Sequence, residues 1–441
     1  MSSRTFHLRP SILLAQRRNV LLIYSPHALK KWRHVWSSSP AAVVCACLIV
    51  APSTARSQSF SLDSCVVRAL ANNPGLRGAS RDIDAAKSRL RQAGALDAPN
   101  LSYDVGKRGT PVSSEEREAA VRLSQDFGAP GSRGRAKDVA RTDVTIAEAS
   151  RESFALKLRG DVTRAYRRLQ ADALITRTLE SVRKTAVDLE QMVGTRLRTG
   201  GARYLDVLRA RSERVRIEND VVETERALRE DRRTLNVLMA RAPDEPLVTA
   251  DTLAYVPLAD SLEFVLRQAL ASRPRLQAAR LEVERGSAQV ALTRNGRLPS
   301  TSLSAGFDRV PGSDSPGFGG EISISLPFLP WTDRRSRINE AQAAEGSAQA
   351  RLEAAERDVD SALRNAFESA RSAERQVQQF DRVLLADASD AIRTAIQNYQ
   401  AGQIDGLELF ETLRTFRSIE LEHIRALLNY ELALTDLAVA E

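Results

Sequence analysis

The chain writes its opening twice, 200 residues apart. Ser61-Leu62, Ala69-Leu70-Ala71, Pro74, Leu76, Pro99 and Gly106 return as Ser261-Leu262, Ala269-Leu270-Ala271, Pro274, Leu276, Pro299 and Gly306. Without a gap, 11 of the 46 positions from 61 to 106 match those from 261 to 306, where about three identities are expected from average residue usage. Solenoid repeats run to roughly 20 to 50 residues, so this period predicts two large copies that complete one wall together. The chain then divides into a leader (1–57), a first repeat (58–241), a linking segment (242–260) and a second repeat (261–441).

A net charge of +8 invites a nucleic-acid reading, but the location of the charge removes it. Residues 1–57 hold eight Lys and Arg and no Asp or Glu, so the remaining 56 bases balance all 56 acids. No nucleic-acid partner is expected. The leader has the form of a secretory signal: basic Lys30, Lys31 and Arg33, an apolar run from Ala41 to Ala51, then small Ala55 and Ser57. That run falls well short of the roughly 20 apolar residues a spanning helix needs, so export is expected, with cleavage after Ala55 or Ser57. Cys45 and Cys47 lie inside the run rather than after it, which disfavours lipidation. Cys65 is then the one thiol left, too few for an intrachain disulfide. Downstream no window approaches about 18 consecutive apolar residues. An exported chain of this kind can cross a membrane only with strands.

Strand signals follow each repeated opening. Leu70 to Ala98 reads as a helix opened by Asn72-Asn73-Pro74 and closed before Pro99. Leu101, Tyr103 and Val105 then alternate with polar residues, as do Val121, Leu123 and Gln125 leading to Phe127. In the second copy Leu303, Ala305 and Phe307 alternate with Ser302, Ser304 and Gly306, and Ile322, Ile324, Leu326 and Phe328 with Ser323, Ser325 and Pro327. Each copy therefore predicts one hairpin, of the strand length a tilted membrane strand needs, with a small polar face suited to a water-filled lumen. Long helices come next. Arg135 to Thr199 lacks proline, and Leu179, Val182, Ala186, Leu189 and Val193 follow the 3, 4 spacing of a coiled-coil seam. Gly200-Gly201 turns this rod back into a helix over 203–241, and Gly402 turns a second rod, Thr332 to Gln400, into one from Leu407 onward. The returning helix and the opening helix, stacked end to end, match the long rod in length, which puts the proline-bearing linker 242–260 at their seam.

In this order and doubling the chain resembles the TolC family of outer-membrane efflux factors over nearly everything beyond residue 57. The paired openings at Pro74 and Pro274 carry the resemblance, with Phe127-Gly128-Ala129-Pro130 and Pro327-Phe328-Leu329-Pro330 after the strands. So do the tips Gly200-Gly201-Ala202-Arg203-Tyr204-Leu205-Asp206 and Gly402-Gln403-Ile404-Asp405-Gly406-Leu407-Glu408. The resemblance implies a mainly α fold with a small β part. Four strands from each protomer of a homotrimer would close a twelve-stranded barrel in outer-membrane lipid, continued by a long periplasmic α-helical barrel. It also implies function as the outer-membrane channel of a tripartite efflux pump. Drugs, small toxic molecules or metal ions would pass through, the heavy-metal branch included. The implied partners are a periplasmic adaptor (membrane fusion protein) and an inner-membrane RND-type or related pump.

For the periplasmic aperture, Glu408 and Glu411 share a helix face just past the second tip. They fall where the family's tunnel-closing acids lie, and threefold symmetry would make each a ring of like charges. Asp206 is the first copy's sibling of Glu408, and Asp405 is a candidate partner for Arg203 or Arg209. Acids near a helix start also simply suit its dipole and face water. Gly200, Gly201, Ala202, Gly402, Gln403 and Ile404 are the adaptor-contact candidates, since small tips let another hairpin approach, although glycine also merely permits a tight turn.

Metal, cofactor and catalytic sites are not expected. His7, His27 and His34 belong to the leader, leaving His423 beside Glu420 and Glu422, a pattern commoner on a solvated helix face than in a ligand set. No Walker-type glycine loop, His-Glu-x-x-His or Gly-x-Ser-x-Gly motif occurs, so no enzyme is expected. Tyr103, Phe127, Phe307, Phe328 and Trp331 read as an interfacial girdle at the strand ends. Two alternatives stand beside the channel: a periplasmic adaptor, which should carry one hairpin rather than two, and a structural coiled-coil envelope protein, which has no use for the strands.

Overall fold

The computed structural model describes residues 59–108, 116–259, 261–309, 317–327, 333–380 and 382–440. The expected leader, the hairpin loops, Phe328 and Trp331 lie outside the described residues. The first copy runs β1 (Ser59–Phe60), α1 (Leu62–Asn72), α2 (Pro74–Ala93), β2 (Asn100–Arg108), β3 (Glu116–Gly128), α3 (Ser132–Arg198) and α4 (Tyr204–Leu238). After β4 (Val248–Thr249) the second runs α5 (Leu262–Ser272), α6 (Pro274–Asn295), β5 (Thr301–Arg309), β6 (Gly317–Ile324), α7 (Arg334–Gln379), α8 (Arg382–Ala401) and α9 (Gly406–Ala440). No helix among the described residues is long and apolar enough to cross a membrane.

The two hairpins join into one antiparallel sheet in the order β2-β3-β5-β6, so β3 and β5 weld the copies together. Opposed residues in such a ladder share a face. One row is therefore Tyr103, Val121, Phe307 and Phe318, one residue from each strand, with the two phenyl rings 5.2 Å apart. The row beneath it is Ser102, Arg122, Gly306 and Gly319, on the opposite face. The alternation thus sorts the sheet into one mainly apolar and one polar face, the latter rich in Ser and Gly. Tyr103 and Phe307 stand within their strands, where the pleat directs them, not at the strand ends. The last ladder also stops at Ile324, short of Leu326.

The opening helix is two helices. Pro74 bars αR backbone at the residue before it, and Asn73 is extended (φ −61°, ψ 126°), ending α1 and capping α2. Its side-chain oxygen accepts from the Gly75 N–H at 2.8 Å, and its Nδ2 donates to the Leu238 carbonyl at 3.1 Å. One side chain thereby satisfies two orphan helix-end groups. It also pins the end of α4 to the start of α2, which makes the seam. Against the 67 residues of α3, α2 and α4 supply only 20 and 35, and the 11 of α1 lie over the gap between them. There Cys65, Ala69, Tyr166, Leu235 and Met239 form one buried cluster. Burial pushes the Cys65 thiol up to about 11.

The linker crosses this belt from one copy to the other. Gln170 donates to the Asp251 carbonyl at 2.6 Å and the Tyr166 hydroxyl to the Phe60 carbonyl at 2.8 Å. Farther on, Glu374 accepts from the Leu258 N–H at 2.9 Å and the Tyr255 hydroxyl at 3.2 Å, while Tyr430 donates to the Val256 carbonyl. The second rod departs from expectation here. It is not one helix from Thr332 to Gln400, because α7 ends at Gln379 and Phe380 leaves helical backbone (φ −89°, ψ 67°). No Pro or Gly is responsible. The break falls where Gln378 reaches out to Tyr255 of the crossing linker (2.9 Å) and the Phe380 ring meets His423.

Candidate functional site

The two hairpin tips are built alike. Gly200 and Gly402 take left-handed backbone, φ +77° and +79°. In each, the glycine N–H bonds back to the third residue before it and the next N–H to the fifth before that one: Gly200 to Leu197 and Gly201 to Arg196, then Gly402 to Tyr399 and Gln403 to Asn398. This is the Schellman arrangement, which stops a helix with its last carbonyls satisfied. All five seam residues from Leu179 to Val193 are buried. Toward the tip, Ala186, Leu189 and Val193 join Ala210, Ile217, Ile392, Leu409, Phe410 and Leu413 in a core shared by α3, α4, α8 and α9.

Between the tips lies a cleft of about 300 Å³ lined by residues of both, among them Arg196, Gly201, Asp206, Tyr399 and Asp405. Asp206, only 7% exposed, accepts from the Arg203 backbone N–H at 3.1 Å and pairs with Arg209 at 3.4 Å. Gly406 faces it so closely that a Cβ there would stand 2.8 Å from the Asp206 carboxylate. Asp405 instead caps α9, accepting from the Glu408 N–H at 3.0 Å, and pairs with neither Arg203 nor Arg209. Both tip aspartates therefore organise helix starts.

Two cleft residues escaped sequence reasoning. Arg196 of α3 lies over the Tyr399 ring of α8, 4.9 Å from its centroid. The Tyr399 hydroxyl is buried without a hydrogen-bond partner. Burial, then the negative charge of Asp206, raises its pKa above the usual tyrosine value. Tyr399 immediately precedes the Gln-Ala-Gly stop, but only the assembled hairpins reveal its contact with a residue 203 positions away.

The acids chosen for the aperture differ in their surroundings. Glu408 is exposed, and its carboxylate has no partner among the described residues. Glu411, one turn on, bridges to Arg414 at 2.7 Å. Arg414 also donates to Glu213 of α4 at 2.8 Å, and Arg417 (3.4 Å) and Arg216 (3.5 Å) complete the cluster around it. No group of three or more His, Cys, Asp or Glu suited to a metal ion occurs among the described residues.

The model of the outer membrane efflux protein family matches residues 65–241 and 265–440, one match for each copy. The chain is similar to the cobalt-zinc-cadmium resistance protein CzcC of Cupriavidus metallidurans, 23% identical over 377 residues, covering 83% of this chain and 86% of that one. It is also similar to the nickel and cobalt resistance protein CnrC of the same organism, 24% identical over 315 residues, covering 70% and 73%. The outer-membrane channel OprN superposes with a TM-score of 0.74 at 19% identity, covering 86% of this chain and 89% of that one.

Proposed function

The chain belongs to the outer membrane efflux protein family, and from that premise we propose that its hairpin tips form the periplasmic gate of a tripartite efflux conduit. The chain is an outer-membrane channel component of an efflux system, with a large periplasmic helical part. Channels of this family are trimers that pair with adaptor proteins and inner-membrane pumps. The observation that carries the reading is the four-strand sheet. Its β2 and β6 edges are open and one face is mainly apolar, a combination that lipid tolerates only when identical neighbours close the edges into a barrel.

Within that conduit Glu408 and Glu411 serve as acidic rings at the aperture, and Asp206 and Asp405 hold the helix starts that present them. Gly200, Gly201, Ala202, Gly402, Gln403 and Ile404 form the surface that meets the adaptor, and an RND-type pump supplies the energy. The protein itself performs no catalysis. Residues 58–241 and 261–441 act as two half-walls joined by 242–260. Two relatives are named for resistance to cobalt, zinc and cadmium and to nickel and cobalt, which supports metal cations as cargo.

Deleting the gene from its host and scoring growth on cobalt, zinc, cadmium and nickel tests the cargo. Sensitivity to metals is expected, and sensitivity to organic toxicants alone refutes it. Fractionation tests the assembly. Heat-sensitive trimers in detergent-extracted outer membrane are expected, and a salt-soluble monomer overturns the conduit.

A further inference from the structure

Positive charge collects without ion-pair partners where the rods meet the sheet. Helix α3 opens with Arg133, Arg135 and Lys137, and α7 with Arg334, Arg335 and Arg337. None of the six makes an ion pair among the described residues, whereas pairs such as Arg183 with Glu180 and Arg364 with Asp360 recur along the rods. Four of the six are exposed, and Arg133 and Arg334 are half-buried. Helix dipoles do not account for them, because these are helix starts, where a cation is disfavoured. Neither first turn carries an acid, although α1, α4, α5 and α9 place Asp63, Asp206, Glu263 and Glu408 in theirs.

The charges form one belt. Asn295 at the end of α6 donates to the Pro130 carbonyl just before α3, at 3.2 Å. On its other side Arg334 lies against Gly296, 3.1 Å from where a Cβ would stand. Arg133 donates to the carbonyl of Phe127 in β3 at 2.8 Å, tying the belt to the sheet. Between α6 and α7 a cleft of about 480 Å³ opens, with Arg334, Arg337 and Thr293 on its wall, Leu292 at its apolar side and Glu340 as its one acid. At the same end of the sheet Leu101, Leu303 and Ile324 stand exposed on the apolar face. The apolar side chains at this end of the sheet therefore give way to guanidinium groups without ion-pair partners, which match phosphate in shape and charge.

We propose that this belt is a binding surface for anionic phospholipid headgroups of the periplasmic leaflet, with Arg334 and Arg337 seating a headgroup phosphate in the α6–α7 cleft. The proposal rests on the reading of the sheet as the membrane part of the trimer. Basic residues beside a membrane surface attract anionic lipid and lose that attraction as salt rises.

The test compares phosphatidylglycerol with phosphatidylcholine added to the delipidated full-length trimer in neutral detergent. Bound lipid is read by native mass spectrometry and trimer melting by heating. Wild type should retain phosphatidylglycerol preferentially and melt later with it, the gain shrinking in high salt. Each arginine neutralised in R334Q, R335Q and R337Q should weaken that preference on the order of fivefold. The three-lysine counterpart should keep most of it. Should the triple variant fail to trimerise, R335Q alone, at an exposed position, together with the salt series on wild type, decides. Equal retention of the two lipids by wild type, or a salt-insensitive preference that neutralisation leaves intact, overturns the belt. Recovery of the chain outside the outer membrane overturns the membrane reading instead.

Discussion

Glu213 of α4 and Arg414 of α9 meet at 2.8 Å across the two hairpins, and the glutamate is 1% exposed. Two more arginines crowd it, yet its Oε1 and the Arg417 Nη1 beside it lack a properly aimed hydrogen bond. An ion cluster buried with some of its bonding capacity unspent is a poor source of net stability. Removing the glutamate leaves Arg414 with Glu411, Arg417 with Asp220 and Arg216 in contact with water, so the lost pairing costs about 1 to 3 kcal/mol. Glu213→Ala should therefore part the hairpins. Raised single-channel conductance in planar bilayers is expected, with a lower trimer melting temperature and partial recovery in Glu213→Asp. Unaltered conductance would show that the cluster does not bear on opening.

The two aperture acids should contribute unequally. Glu411 is bridged to Arg414, whereas Glu408 has no partner among the described residues. Three symmetry-related Glu408 carboxylates would hold their charge unneutralised in the lumen, the condition under which a ring selects cations. Replacing both Glu408 and Glu411 by Ala should raise conductance and lower cation preference, and Glu408→Ala alone should produce most of that change. Reversal-potential measurements in a salt gradient check this, and an unaffected preference in both variants removes the ring.

At the tips, geometry makes glycine obligatory for two separate reasons. Gly402 sits at φ +79°, a conformation that costs a β-branched residue about 1 to 3 kcal/mol. Gly406 has ordinary helical backbone but faces Asp206, so that even a methyl group would press on the carboxylate, an overpacking cost of about 1 to 3 kcal/mol. Gly402→Val should abolish export while leaving trimers intact on semi-native gels, since the distortion stays at the tip. Gly406→Ala should loosen the Asp206 pairing and increase conductance. Loss of trimers in Gly402→Val would place the effect in folding rather than docking.

The rule that made each part readable also marks where reading stopped. Strands β2, β3, β5 and β6 showed in the period-two alternation because each face meets a different medium. The tips showed because Gly200 and Gly402 terminate heptads. Pairings across the copies left no local trace. Glu213 lies in Ser212-Glu213-Arg214-Val215-Arg216, which reads as an ordinary solvated helix face, and only the approach of α9 buries it. The Arg196–Tyr399 contact is of the same kind. The break at Phe380 lacks any helix-breaking residue and falls where Gln378 meets Tyr255 of the crossing linker. The division of the opening at Asn73 was legible in Pro74, but assigning the preceding stretch to a helix of its own required the packing of Cys65 and Ala69 against α3.

Acid should tighten the contact between α3 and α4. Asp172 of α3 is pushed up to about 6, first by burial and then by the negative charge of Asp231 on α4, with Arg168 acting the other way. Asp231 is raised as well, again chiefly by burial. A carboxyl group whose folded pKa lies above its unfolded value favours the folded state while it stays protonated. That contribution is complete below the unfolded value near 3.8 and is lost as pH rises through about 6. At neutral pH the pair is therefore a weak point in the first coiled coil. Asp172→Asn keeps the shape and removes the charge, so it should raise the melting temperature at pH 8 by more than at pH 5, with no gain near pH 3. Equal shifts at all three values would mean that Asp172 does not titrate in the folded trimer, and a lower melting temperature at pH 8 would mean that its charge is held favourably.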